Sequence, residues 1–382
     1  MTLTERFRYL IHSPILVYRT VFQGRYDFVY DRMPMRIQRM PFPKRMNLIK
    51  TGLNLVYRRP RVSNWPVHMQ FELTNYCNLR CPVCPAGSHL ITREKKAMDP
   101  ALFTKVINET GPYLLTASLW AWGESLLHPH LDQILQATRK HQFVILLSTN
   151  GQNLDNPKVI DTLIQHPPTC LIVAIDGITD ETNSQYRIGA RLEPALTGVR
   201  RLAAMKRKLA RTTPILQMRY IVMRHNEHEI GKLDGFAQEN GFDMLSLRTL
   251  SIIDSEPTQE THTHFVPSQS SWQAYKYKQG QRVRNPSYIC QQPFMFPTVF
   301  ADGTLVACEQ DYNAQLAMGR LSPDTSFANV WFSKNASRTR QIIRDTPHEL
   351  SFCENCPYRD RESTGCSVAV RHFSEGINPM TI

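Results

Sequence analysis

A chain of 382 residues, 42% hydrophobic and 20% charged, has material for two or three packed domains and is too apolar for a disordered protein. It has no uncharged apolar run of about 18 residues, so no spanning helix is expected. The net charge of +12 is concentrated: residues 1–61 hold thirteen Lys/Arg against three Asp/Glu, leaving a surplus of only two for the other 321. No nucleic-acid motif accompanies that charge, so nucleic acid is not an expected partner.

The basic arm, residues 1–66, reads as short helices, with Ser13 as a cap, Pro14 at the first helical position and Gly24 as a stop. Met46, Ile49, Leu53 and Val56 recur at helical spacing before Arg58, Arg59 and Pro60. Such a stripe flanked by arginine lies on an anionic membrane surface or packs on the protein's own body. Residues 67–252 alternate strand and helix patterns. Short apolar runs at His68–Leu73, Ala117–Ala121, Phe143–Ser148, Leu171–Ile175, Ile215–Val222 and Met244–Leu247 read as buried parallel strands. Helical stretches such as Pro100–Thr110, Leu131–Lys140 and Glu193–Lys208 lie between them. Six such units predict an α/β fold with a parallel, barrel-like sheet and ligands at the strands' carboxyl ends. Residues 253–287 are polar and read as a linker or flap, and residues 288–382 form a C-terminal unit.

Nine cysteines, an odd number in metal-like spacings, point to a reducing compartment rather than a disulfide scaffold. The N-terminus shows no secretory pattern, so a cytoplasmic location is expected, peripheral at the membrane if the arm docks there. The first cysteine set is Cys77-Asn-Leu-Arg-Cys81-Pro-Val-Cys84, just after the first strand. Thiolates suit iron–sulfur clusters, a four-iron cluster normally takes four of them, and three ligands leave one iron open to a cosubstrate. Zinc is the alternative, although it prefers paired Cys-x2-Cys units and four closed ligands.

This Cys-x3-Cys-x2-Cys loop resembles the hallmark of the radical S-adenosylmethionine (SAM) enzymes, a resemblance that extends over roughly residues 68–370. It implies a partial (β/α)6 barrel whose 4Fe-4S cluster chelates SAM at the open iron and cleaves it to a 5′-deoxyadenosyl radical. A flavodoxin or ferredoxin is the implied electron donor. Trp122-Gly123-Glu124-Ser125 is similar to the family's Gly-Gly-Glu-Pro turn but keeps only the central pair. There Gly123 permits close backbone approach and Glu124 supplies an acceptor for the methionine amino group. Ser148-Thr-Asn150-Gly and Asp176-Gly resemble segments that border SAM, with Ser148, Asn150 and Asp176 as candidate contacts. Tyr186-Arg187 resembles a pair whose arginine clamps a carboxylate. As Asn-Gly and Asp-Gly also form ordinary turns, the structural alternative stays open.

Cys290, Cys308, Cys353 and Cys356 make a second, complete set of four. The Cys-x12-Gly-x4-Cys piece resembles the auxiliary-cluster extension called SPASM, or its shorter relative called twitch. The full SPASM pattern has more cysteines, so one auxiliary 4Fe-4S cluster is expected, with structural zinc as the alternative. The spacing is similar to that of a radical SAM aminocyclitol-antibiotic dehydrogenase. Glu309 stands where related sulfatase-maturing enzymes carry a proton-accepting aspartate, and Asp311 follows. Cys366 is a candidate spare ligand or hydrogen-atom donor.

The sequence thus points to a radical SAM barrel with an auxiliary-cluster domain and a basic helical N-terminal arm. The favoured reaction is oxidation of a small or carrier-bound substrate, with peptide crosslinking or epimerisation as the second reading. The rival of another class is a zinc-stabilised protein that binds nucleic acid or anionic surfaces through its arm.

Overall fold

The computed structural model describes residues 14–251, 264–278, 281–283, 285, 288–354, 356–361, 367–374 and 380–381. The expected cap Ser13, much of the 253–287 linker and Cys366 lie outside the described residues. The arm departs from the all-helical expectation. A helix over 14–21 (α1) is followed by an antiparallel hairpin, β1 (Tyr26–Tyr30) and β2 (Met33–Ile37), and then by α2 (Phe42–Tyr57). The hairpin follows from a period-two pattern: Met33, Met35 and Ile37 are buried and alternate with half-buried residues. Its two-residue loop, Asp31–Arg32, has φ of 48° and 64°, the positive pair that a hairpin matching the strand twist requires. Ser367 holds that loop, its amide donating to Asp31 at 2.8 Å and its carbonyl accepting from Arg32 at 2.6 Å.

Six strands pair in parallel: β3 (His68–Phe71), β4 (Thr116–Leu119), β5 (Val144–Thr149), β6 (Cys170–Ala174), β7 (Ile215–Val222) and β8 (Met244–Thr249). Crossover segments carry α3 (Pro100–Thr110), α4 (Leu131–Thr138), α5 (Pro157–Gln165), α6 (Asp180–Tyr186), α7 (Leu192–Lys208) and α8 (Leu233–Glu239). Asp99 caps α3 and Asn156 caps α5, each ahead of a proline at the first helical turn. Alternate strand residues serve two cores. Leu147, Leu171, Val173 and Leu245 face the helices. Val144, Leu146, Cys170, Ile172, Ile215 and Met244 face the opposite way and pack on Met33 and Met35 of the hairpin. The arm therefore fills the inner face of the barrel sheet.

A tiny hairpin, β9 (Tyr277–Lys278) and β10 (Gln281–Arg282), precedes the C-terminal unit. That unit is continuous with the main sheet. β11 (Thr298–Val299) pairs in parallel with β3, and β12 (Thr304–Val306) and β13 (Ala317–Arg320) follow antiparallel. On the far edge β14 (Ser367–His372) lies antiparallel to β8, completing ten strands, and β15 (Met380–Thr381) joins β2. The described part of the linker packs on the body too: Phe265, Ala274 and Tyr275 are buried against Val83 and Tyr186. Among the described residues no helix is long and apolar enough to cross a membrane.

Candidate active site

β3 ends where Glu72 turns inward, and the chain enters the loop that carries the first cysteine set. Glu72 is fully buried and accepts both guanidinium arms of Arg93 at 2.6 and 2.7 Å, with the Ala301 amide at 3.1 Å. Arg93 lies 3.8 Å over the Phe300 ring and donates to the Tyr312 carbonyl. The far end of the cysteine loop is thereby pinned to the C-terminal unit.

Within the loop, Cys77, Cys81 and Cys84 lie in reach of one another's charge. Burial pushes the Cys77 thiol up to about 11 and Cys81 up to about 12, the latter against the pull of Arg187. N–H groups point at the sulfurs: the Leu79 amide at 3.4 Å and Asn150 Nδ2 at 3.5 Å on Cys77, and the Gly87 and Ala86 amides on Cys84. A Cβ on Gly87 would meet the Cys81 carbonyl oxygen at 2.4 Å, so the loop closes tightly around its sulfurs. Amide donors aimed at sulfur stabilise thiolates and tune clusters. Among the described residues no three of His, Cys, Asp and Glu converge on a single ion, and the fit of a cluster rests on this donor chemistry.

The strand-end residues form a bonded scaffold around this loop. The buried Glu124 carboxylate accepts from Thr149 at 2.6 Å, the Asn150 amide at 2.7 Å and the Leu126 amide at 2.9 Å, tying the end of β4 to that of β5. A Cβ on Gly123 would lie 1.9 Å from the Thr74 carbonyl oxygen, so the close approach at this glycine is to the protein's own backbone. Asn150 also bonds Asn78 at 2.8 Å. Ser148, half-buried on β5, is paired in register with Ile172 on the inner face. Asp176 is fully buried, accepts the Ile221 amide at 2.7 Å and pairs with Arg187 at 2.8 Å. The carboxylate that Arg187 clamps here belongs to the chain itself.

The second set is gathered by distant segments. Cys290, Cys308, Cys353 and Cys356 feel one another's charges, and burial pushes Cys290 up to about 12 and Cys308 well above its ordinary range. Amides of Gln292, Gln310, Tyr358 and Arg359 face three of these sulfurs. Four thiols with such donors fit a fully ligated cluster. Glu309 lies 3.7 Å from the Cys308 sulfur, and its carboxylate accepts the Tyr358 hydroxyl. Asp311 is spent on its own turn, accepting the Gln315 and Leu316 amides at 2.7 and 2.8 Å, and burial pushes its carboxyl up to about 6.

Trp122 links the two halves by donating from its indole to the Glu309 carbonyl at 2.7 Å. Neither this bond nor the Tyr358–Glu309 and Arg93–Glu72 pairs was read from the sequence. A tryptophan beside the Gly-Glu turn and a tyrosine two residues after Cys356 were the only cues.

The model of the radical SAM superfamily matches residues 71–236, and that of the SPASM iron–sulfur cluster-binding domain matches residues 290–357. The chain belongs to the radical SAM superfamily, with a SPASM-type domain behind the barrel. Its cofactors are accordingly SAM and 4Fe-4S clusters. The mycofactocin maturase MftC of Mycobacterium ulcerans is 24% identical over 324 residues, 80% of this chain and 84% of that protein. The PqqA peptide cyclase of Gluconobacter oxydans is 23% identical over 327 residues, 79% and 85% of the two chains. The structure of Streptococcus suis SuiB bound to S-adenosylmethionine has the same fold, with a TM-score of 0.57 at 14% identity over 84% of this chain and 81% of that one.

Proposed function

We propose that this radical SAM enzyme oxidises a C–H bond of a peptide substrate, for which Glu309 takes the proton. One observation carries the reading: a carboxylate 3.7 Å from an auxiliary-set sulfur, held by Tyr358 and tied through its carbonyl to the SAM-side turn by Trp122. The sequence put a small or carrier-bound molecule first. Relatives that span about four-fifths of the chain include a maturase and a peptide cyclase, which favours a peptide.

In this reading Cys77, Cys81 and Cys84 hold the first cluster, and Cys290, Cys308, Cys353 and Cys356 the auxiliary one. Bound there, SAM and its cluster supply a 5′-deoxyadenosyl radical for hydrogen abstraction, and the auxiliary cluster supplies a one-electron acceptor. Gly123, Ser148 and Asn150 border SAM. Glu124, Asp176 and Arg187 stand behind as supports, since their charged groups are engaged by protein partners. Glu309 accepts the proton that departs as the substrate gives up its electron. The substrate thus loses a hydrogen atom, a proton and an electron. A reductant such as flavodoxin or ferredoxin supplies the electron that cleaves SAM, and the basic arm brings the enzyme to an anionic membrane surface.

The test is anaerobic turnover of peptides encoded beside the gene for this chain, with SAM and a chemical reductant. One deoxyadenosine per product lighter by two hydrogens supports the reading. A mass-neutral product that takes deuterium from heavy water would replace oxidation by epimerisation, with Cys366 as the hydrogen-donor candidate.

A further inference from the structure

Helix α2 is built inside out. Its buried residues are Lys44, Asn47, Thr51 and Asn54, spaced 3, 4 and 3 apart and all polar. The opposite stripe is apolar and faces water, with Phe42 64%, Leu53 56%, Val56 53% and Tyr57 63% exposed. A helix on a soluble surface turns the other way, apolar face to the core. The rotation is set by bonds: Lys44 donates to the Gln142 carbonyl, Asn47 donates to the Trp65 carbonyl at 3.1 Å, and the Trp65 amide donates to Asn47 at 2.8 Å. The apolar stripe is therefore held outward by polar contacts on the far side.

Exposure of large apolar side chains is concentrated in this part of the chain. Fourteen large apolar side chains are exposed among the described residues, and ten of them fall within residues 15–57, including Ile15, Tyr18, Phe22 and Val29. Scattered exposure needs no partner, but a concentration of this kind marks an interaction surface. Charge decides the occupant. From Arg32 to Arg61 there are nine Lys/Arg and no Asp/Glu, and Arg39, Lys50, Arg59 and Arg61 are exposed. A second copy of the chain would meet this face with the same sign, whereas anionic headgroups complement it.

We infer that the outward stripe of α2, Phe42, Leu53, Val56 and Tyr57, inserts into the headgroup layer of an anionic bilayer with the neighbouring arginines at the phosphates. The inference rests on placing the arm at a membrane and names the element that holds it there. The test is cosedimentation of the full-length protein with vesicles of phosphatidylcholine, with and without phosphatidylglycerol. The parent should bind only the anionic vesicles, less so as salt rises, and L53S/V56S should bind at least about tenfold more weakly with SAM cleavage unchanged. If the parent binds and L53S/V56S binds equally, insertion by α2 fails while the membrane reading stands. If the parent binds neither vesicle, both fail. Light scattering without lipid completes the test: a monomer is expected, and a dimer dispersed by L53S/V56S would show that a second copy covers the face.

Discussion

The indole of Trp122 donates a hydrogen bond of 2.7 Å to the carbonyl of Glu309, joining the turn after β4 to the loop that follows Cys308. This side chain ties the Gly123-Glu124 turn to the loop of the second cysteine set, beside the Arg93 contacts that pin the first cysteine loop to the same unit. Trp122→Phe keeps an aromatic ring but removes the N–H donor, a loss of about 1 kcal/mol for the bond, together with the outer part of the indole. Product formation should fall several-fold while deoxyadenosine formation continues, raising the ratio of SAM consumed to product formed. An unchanged ratio would show that the bond positions nothing relevant to turnover.

Replacing Cys77, Cys81 and Cys84 together by alanine should lower iron from about eight to about four per chain and abolish SAM cleavage. Iron and sulfide analysis of anaerobically purified protein checks the first part, and deoxyadenosine assay the second. Loss of all iron would mean that the auxiliary set does not hold its cluster independently.

Glu309→Gln keeps the shape of the side chain but removes the proposed base. It should slow product formation by about a hundredfold, with SAM cleavage much less affected. Tyr358→Phe, which removes only the donor to that carboxylate, should have the same signature at smaller amplitude. Equal slowing of both outputs by Glu309→Gln would assign the residue to structure instead.

Arg93→Met leaves the Glu72 carboxylate buried with only the Ala301 amide for a partner, so it should destabilise the fold by roughly 3–5 kcal/mol. Adding Glu72→Gln removes the stranded charge and should recover part of that loss. Denaturant unfolding of the parent and the two variants measures both steps.

Lys44 is fully buried, and burial pulls its amine down to about 7 from an ordinary 10.5. Between these values the unfolded chain carries a proton that the folded chain has shed. Stability should therefore rise with pH from about 7 to about 10, by up to ~1.4 kcal/mol per unit. Lys44→Met should remove that slope, read as the difference between unfolding midpoints at neutral and alkaline pH.

What the sequence determined by itself was local chemistry and local periodicity. The strand Ile215–Val222 and the helix Pro100–Thr110 stand where a short apolar run and the helical stretch between two such runs put them. The two cysteine sets were legible because a ligand spacing is written along the chain. The hairpin at 26–37 was missed, since its short alternation is stabilised by strands more than a hundred residues away. Contacts such as Trp122 with Glu309, Tyr358 with Glu309 and Arg93 with Glu72 carry no local signature; each exists because the sheet brings remote loops to one end. Glu124 and Arg187 looked like ligand contacts from their motifs, but only the fold shows how Thr149, Asn150, Leu126 and Asp176 occupy them. Helix α2 draws the line most sharply. Periodicity showed that it has an apolar stripe, but not which way that stripe faces. That depends on what the rest of the molecule presents, and here it presents the carbonyl of Gln142 and the backbone of Trp65 to the polar side.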